Sequence, residues 1–303
     1  MGSGSAATSD GESLLDPLRL PAPGTSRVPE LPEAETIVRG LRPALHGTVI
    51  SRARVLRPDI LRTSPARFRK HVAGRRIQHV GRRGKNIVME LDPPGFLVVN
   101  LGMTGRLLTL PSVSPSTHPA VRFTLDDGGV LVYDDVRRFG RVEILTPGEW
   151  QSRSAAMGPE PLDPHFAGHD MLARLQTSRS PIRSWLLDQR RVAGVGNIYA
   201  NEALWRARVH PARPANTLTR KEGHALHRAI RSVLLNAIAN GGTTLRNYRD
   251  ASGKRGNHAR RLGVYGRVRK PCVRCGTEIV RIVFGNRSAF LCPECQPWER
   301  HQT

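Results

Sequence analysis

No stretch of this chain approaches the roughly 18 consecutive apolar residues that cross a bilayer, which excludes a membrane-spanning helix. Residues 1–28 have neither a basic start nor an apolar run, so no secretory signal is legible there. Asp10, Glu12 and Asp16 in the same segment argue against an organelle transit peptide. The expected compartment is the cytoplasm. Cysteine is nearly absent: four in 303 residues, all in the tail after about Arg267. Lysine is almost as scarce, with five among the 47 Lys+Arg. Arginine therefore supplies nearly all the positive charge, and its planar fork suits bidentate contacts to phosphates and base edges.

What the chain does carry is charge of one sign. The 47 Lys+Arg stand against 25 Asp+Glu, a net +22. Such an excess points to a polyanion as partner; a solvated surface set by codon bias is the alternative. At 39% hydrophobic residues, the chain has material for one large or two modest domains.

Residues 1–28 are rich in Gly, Ser, Ala and Pro and are expected to be disordered. From Pro32 to His46 the apolar positions Ala34, Ile37, Val38, Leu41 and Leu45 recur at helical spacing, with Pro32 in the first turn and Glu33 and Glu35 at its positive end. Short β runs follow: 49–56, 77–80, 87–91, 96–101, 121–125, 130–133 and 141–145. Breakers separate them at Asp92–Gly95 and Asp126–Gly129, and 111–119 reads as a loop. This spacing suggests an antiparallel sandwich or barrel. After Pro147 the pattern turns helical, with candidates at 169–176, 181–191, 198–206 and 218–240, the last ending at Gly241-Gly242. The expected division is a disordered extension 1–28, a β domain 29–150, a helical domain 151–266 and a cysteine-bearing tail 267–303.

The cysteines read Cys272-x-x-Cys275, sixteen residues, then Cys292-x-x-Cys295. Two such knuckles make a tetrahedral four-thiolate zinc site, with a pair of disulfides as the alternative. All four positions are filled by protein, so the metal is structural. The strands of a hairpin, 280–283 and 289–291, lie between the knuckles. Arg287 sits in its turn, touching phosphate or nothing.

Gly194-Val195-Gly196-Asn197 lies between two helices. Its glycines allow a tight turn, Asn197 is a suitable N-cap, and an exposed helix N-terminus binds phosphate; an ordinary connection is the alternative. Arg137-Arg138-Phe139-Gly140 follows a strand and combines cation with aromatic. It fits either a wedge in a base stack or a strand-end loop with a core Phe; Met103 leaves the same choice. Lys85 is a rare lysine that, unlike arginine, is able to exchange its proton; a phosphate contact or solvation explains it equally. Pro29-Glu30 would be a covalent catalyst if Pro29 began the chain. Within the chain its nitrogen is a tertiary amide, unreactive as a nucleophile, and the pair is then a lead-in to a helix.

Together PELPEAET, RRGK, NLGMTGRL, DDVRRFG, GPEPL, GVGNIYANEAL, GGTTLR, VYGR and the CxxC pair resemble the formamidopyrimidine-DNA glycosylase/endonuclease VIII family, in that family's order, from about Val28 to Gln296. PELPE is similar to the formamidopyrimidine branch. The resemblance implies an α+β fold: an N-terminal antiparallel β-sandwich with a leading helix, a helix-two-turn-helix domain and a C-terminal zinc-finger hairpin holding one Zn2+. It implies excision of 8-oxoguanine and formamidopyrimidines from double-stranded DNA, strand cleavage at the abasic site, and action as a monomer. By motif, Pro29 would be the nucleophile on C1′, Glu30 would protonate the opened sugar, Lys85 would assist β-elimination and Arg287 δ-elimination. Met103, Arg137 and Phe139 would fill the void left by the flipped nucleotide. Asn197, with the Gly194–Gly196 turn, would hold a phosphate. His118 and Arg179 would lie near the DNA backbone.

Three departures accompany the resemblance. Family members begin Met-Pro-Glu, and here Val28 stands in the methionine's place, as a GUG start codon read through as internal would give. Translation from position 28, proteolytic removal of the extension, or a silent long form that binds damaged DNA without catalysis are the options. The segment Ser252–His258 corresponds to a lid that often carries an aromatic; here it has Asn257-His258. Arg179 stands where relatives often have lysine.

Overall fold

The computed structural model describes residues 29–110, 116–245, 248–284 and 287–297. The expectations for segment 1–28, for 111–115 and for Asn286 lie outside the described residues.

The order along the chain is α1 (Leu31–Leu45), β1 (Val49–Val55), α2 (Pro65–Val72), β2 (Arg75–Arg83), β3 (Asn86–Asp92), β4 (Gly95–Asn100), β5 (Gly105–Leu110), β6 (Pro119–Leu125), β7 (Val130–Asp135) and β8 (Arg141–Leu145). Then come α3 (Pro147–Ala155), α4 (Gly168–Gln176), α5 (Ile182–Leu187), α6 (Asn197–Ala207), α7 (Arg220–Ala239), β9 (Val280–Phe284) and β10 (Arg287–Leu291).

Strands β1–β8 form one antiparallel sheet in the order β5-β7-β6-β1-β2-β3-β4-β8. β1 and β2 pair only at Val49–Arg76 and Ile50–Arg75, beside an irregularity between Ile50 and Arg52. The neighbouring pairs run along most of each strand. The narrow seam divides the sheet into two four-stranded leaves, and the leaves share one core. Ile50, Phe123 and Leu131 from the first join Ile77, Met89 and Leu97 from the second in a single buried cluster. This is the expected sandwich. Helix α1 covers it with Ala34, Ile37, Val38, Leu41 and Leu45, the stripe its 3.6-residue period places on one face.

A second core unites α4–α7 with the tail: Trp185, Tyr199, Leu226 and Leu234 pack with Ile279, Phe290, Cys272 and Cys292. Leu31, the first residue of α1, belongs to this helical core, while Ala34, one turn on, belongs to the sandwich. The Pro29–Leu31 segment thus lies where the two cores meet.

Three elements have no counterpart among the expected runs. Helix α3 buries none of its residues and α2 only Phe68 and Val72, so neither has an apolar stripe. Their signal is local: Thr146-Pro147-x-Glu149 closes a capping box, and Ser64 accepts from Arg67 N ahead of Pro65. The third is β5, which pairs along its whole length with β7. Helix α5 ends at Leu187 rather than Arg191 because Asp188 Oδ1 accepts the Arg190 backbone N–H at 3.0 Å, an Asx turn. Among the described residues no helix is long and apolar enough to cross a membrane.

Candidate active site

The start of α1 and the N-terminus of α6 meet head to head. Leu31 N donates to Gly194 O at 3.0 Å. Glu30 then places its carboxylate over the first turn of α6, accepting from Gly196 N (2.7 Å), Ile198 N (2.8 Å) and Tyr199 N (3.3 Å). Gly196 is glycine for a steric reason, since a Cβ there would overlap the Glu30 carboxyl group. This corrects the expectation that Asn197 caps α6. Gly196 holds the cap position, Asn197 is the first helical residue, and the orphan amides are satisfied by a carboxylate from 166–169 residues away.

Glu30 is 2% exposed. Burial pushes its pKa from 4.5 up to about 7; Lys85 opposes the rise, Glu33 adds to it, and the α6 amides oppose it. Glu33, also buried, joins three elements. Its Oε2 accepts Glu30 N at 2.8 Å, and its Oε1 accepts Tyr199 OH at 2.6 Å and Thr243 N at 2.7 Å. Burial raises its carboxyl as well.

Lys85 lies in the turn between β2 and β3, half-buried. Burial lowers its pKa; Glu30 resists that and Arg287 reinforces it. The turn is clamped by Glu160, which bonds Arg82 (2.5 Å), Arg83 (3.1 Å) and Gly84 N (2.5 Å). Arg83 also reaches the carbonyls of Ser154, Met157 and Gly158. Arg287 opens β10 and is exposed. Its charge acts on Lys85 and on Arg183, so Glu30 and Arg287 both influence Lys85, and Pro29 adjoins Glu30 in the chain. Arg183, 1% exposed, donates to Asn197 Oδ1 (2.6 Å) and Ser288 O (2.9 Å), tying the α6 start to the hairpin. Asn201 Oδ1 takes Phe290 N at 2.7 Å and strengthens the same link.

Arg137 and Phe139 project together, and the turn that carries the half-buried Met103 lies beside them. The Arg137 guanidinium lies 4.5 Å from the Phe139 ring centroid, and Arg137 N donates to Thr104 Oγ1 (3.1 Å), next to Met103. Phe139 is 54% exposed, so the strand-end-loop alternative with a core Phe is excluded. His118 is exposed beside Arg57 and Arg138. Arg179 is exposed in the loop between α4 and α5, and no hydrogen bond or ion pair among the described residues joins it to the Glu30 centre. The expected lid divides. Residues 252–255 are exposed, with Ser252 and Lys254 folded around Asp250. His258 is buried against the Tyr199 ring, and burial together with Arg261 lowers its pKa to about 4. His258 is thus part of the packing around Tyr199, unlike the exposed residues 252–255.

The four cysteine sulfurs all lie within 4.8 Å of one another, with Cys272–Cys295 at 3.9 Å, Cys275–Cys292 at 3.4 Å and Cys275–Cys295 at 3.5 Å. A tetrahedron with Zn–S bonds of about 2.3 Å has edges of about 3.8 Å. The set fits one structural zinc, which would anchor β9–β10 and with them Arg287.

Glu33, Glu160, Tyr199 and Thr243 lie inside the motifs quoted above without a site role assigned to them there, and Arg183 lies in none of those motifs. Glu33 has a signal, its capping-box spacing at the third position of α1. The others become partners only through the fold, across 14 residues for Arg183–Asn197 and up to 210 for Thr243–Glu33.

The chain is similar to known proteins over most of its length. The family described as Formamidopyrimidine-DNA glycosylase N-terminal domain matches residues 28–142, its H2TH domain matches 157–249, and the zinc finger found in FPG and IleRS matches 269–297. Formamidopyrimidine-DNA glycosylase of Chloroflexus aggregans is 48% identical over 271 residues, 89% of this chain and 98% of that protein. The crystal structure of the MutM (Fpg) protein from Thermus thermophilus superposes with TM-score 0.80 at 40% identity, covering 88% of this chain and 98% of that one. The Lactococcus lactis Fpg complex with abasic-site DNA superposes with TM-score 0.83 at 34% identity, covering 89% and 100%. A carboxylate-capped helix start beside a lysine, a projecting Arg–Phe pair, a four-cysteine hairpin and relatives of this similarity lead to one conclusion: the chain belongs to the formamidopyrimidine-DNA glycosylase family of zinc-finger, DNA-binding repair glycosylases.

Proposed function

We propose that this chain is a bifunctional glycosylase and abasic-site lyase that removes oxidised purines, 8-oxoguanine and formamidopyrimidines, from double-stranded DNA as a monomer. The observation that carries the reading is the buried Glu30 carboxyl, raised to about 7 beside Lys85 at the end of a helix. A carboxyl in that range is part protonated at neutral pH and able to act as an acid.

In this reading, with residues 1–28 absent, the neutral Pro29 nitrogen bonds to C1′ as the C1′–base bond breaks; the electron pair leaves with the base, which takes up the proton that the nitrogen sheds. The nitrogen lone pair then expels O4′, which takes the Glu30 proton, and an iminium remains. Lys85 assists loss of the 3′ phosphate by β-elimination, and Arg287 assists the δ-elimination that follows. The amide nitrogen of Asn197, whose oxygen is held by Arg183, donates to a phosphate beside the lesion. His118 and Arg179 contribute charge along the backbone. Met103, Arg137 and Phe139 occupy the gap, offsetting the few kcal/mol that base extrusion costs.

Product analysis on an 8-oxoguanine duplex, with the chain that begins at Pro29, tests this. Free 8-oxoguanine and a gap with phosphates at both ends are expected, and Arg287→Ala is expected to leave the β-elimination product in place of the δ product. Cleavage with no released base would refute the reading. Zinc removal is a further test. Stripping the metal, verified by elemental analysis, is expected to lower the Tm and to weaken duplex binding by about tenfold, the scale of one lost arginine contact. Unchanged affinity in the metal-free protein would show that the hairpin does not hold Arg287 on DNA.

A second reading rests on one fact of the sequence, the peptide bond between Val28 and Pro29. With that bond intact, the protein would bind damaged DNA without cleaving it.

A further inference from the structure

Asp135 ends β7 with its carboxylate 2% exposed. Its Oδ1 accepts Thr104 Oγ1–H at 2.5 Å and Arg137 N at 3.2 Å; its Oδ2 accepts Tyr133 OH at 2.9 Å and Gly140 N at 3.0 Å. Burial, with the nearby Asp135 charge, holds the Tyr133 phenol above its ordinary range, so it remains a donor. The four donors come from three places: the Met103–Thr104 turn, both ends of the Arg137–Gly140 loop, and the strand behind them. The fit at the loop's far end is close, since a Cβ on Gly140 would overlap the Tyr133 hydroxyl. Arg141 Nη1 fixes the same end by donating to Gly140 O at 2.9 Å.

We propose that Asp135 is a positioning residue for base extrusion. It locks the turn bearing Met103 to the loop bearing Arg137 and Phe139, so that the three side chains enter the duplex as one preformed wedge. No other side chain among the described residues accepts hydrogen bonds from both loops. A carboxylate suits the task because it offers only acceptors to four converging donors. Asparagine is isosteric but would set an NH2 against two of them, leaving buried donors unpaired. A wedge assembled in advance avoids ordering two loops during the opening of the stack. The inference rests on the reading that these side chains fill the void left by a flipped nucleotide.

The test uses the full 303-residue chain, since extrusion needs no chemistry at Pro29. Extrusion is followed by stopped-flow fluorescence of 2-aminopurine beside 8-oxoguanine in a duplex, at saturating protein. Affinity is measured on a duplex whose abasic site faces a gap, where no stack has to be opened. Asp135→Asn is expected to slow extrusion about tenfold, the scale of losing charge-assisted bonds, and to change affinity for the gapped duplex by less than about twofold. Thr104→Val, which at nearly constant shape removes one donor to Asp135 and the Oγ1 acceptor of Arg137 N, is expected to slow extrusion two- to threefold while leaving affinity for the gapped duplex within about twofold. Phe139→Ala serves as the control for the wedge itself and is expected to slow extrusion at least as much.

If Phe139→Ala slows extrusion while Asp135→Asn and Thr104→Val run at the wild-type rate, the role of Asp135 is overturned and the wedge stands. If Phe139→Ala has no effect, the wedge reading itself fails. Equal losses on both DNAs for Asp135→Asn would mark it as a general structural residue. Should Asp135→Asn fail to fold, Thr104→Val decides alone, and a wild-type rate there overturns the proposal.

Discussion

A chain whose first residue is Pro29 is expected to be trapped covalently when borohydride is added to it on an abasic-site duplex. The chain that keeps Met1 is expected to bind the same duplex and trap nothing. The difference is electronic. In the longer chain the nitrogen lone pair is delocalised into the Val28 carbonyl and does not attack a sugar carbon. Freed, it is an α-amine with a pKa of about 8, so roughly a quarter is neutral and nucleophilic at pH 7.5. Leu31 N is bonded to Gly194 O and Glu30 to the start of α6, so the backbone that follows Pro29 is held, and the Glu30 charge acts on Lys85. Intact mass measured before and after trapping decides the matter. A trapped species that still carries residues 1–28 would mean that another group is the nucleophile.

The second large effect concerns Glu30. Trapping by the Pro29-initiated chain is expected to follow a bell-shaped pH profile with its maximum near pH 7.5. The rise comes from the amine, which must be neutral and becomes so towards a pH of about 8. The fall comes from Glu30, which must be protonated and loses its proton as pH passes about 7. Glu30→Gln is expected to lower the rate about a hundredfold or more, the usual scale for a lost general acid, and to abolish the alkaline fall while the acid limb remains.

The same shift bears on stability. A carboxyl whose pKa is raised on folding contributes stability that is fully present below about 4.5 and is lost as pH rises through about 7. The wild-type urea midpoint is therefore expected to drop more between pH 4.5 and 8 than that of Glu30→Gln, whatever the constant cost of the substitution. An alkaline limb that survives in Glu30→Gln would assign the acid elsewhere, Glu33 being the nearest buried carboxyl.

Much of the candidate site is legible in the order of residues alone, because its pieces are short motifs whose chemistry depends on spacing. The two CxxC knuckles imply a tetrahedral site from four residues, and the sulfur distances agree with it. Helix α1 announces itself through Pro32 and five apolar positions, all of which are buried. Periodicity fails where there is no buried face to report, as in α3, which is held by its cap and not by its packing. It also misassigns Asn197. From a linear string the best partner for the first amides of a helix is the residue beside them, and here a more distant carboxylate outcompetes it.

The sequence by itself determined the chemical kit: a proline–glutamate pair, one lysine among many arginines, an Arg–Phe loop and four thiolates at metal spacing. Only the tertiary structure decided what each of these groups does to the others. Glu30 is raised because two cores close around it, Lys85 is lowered because burial and Arg287 reach it from separate elements, and Asp135 gathers two loops that the chain order keeps 33 residues apart. Desolvation and hydrogen bonding depend on distances in space, and a local string of residues carries no record of them.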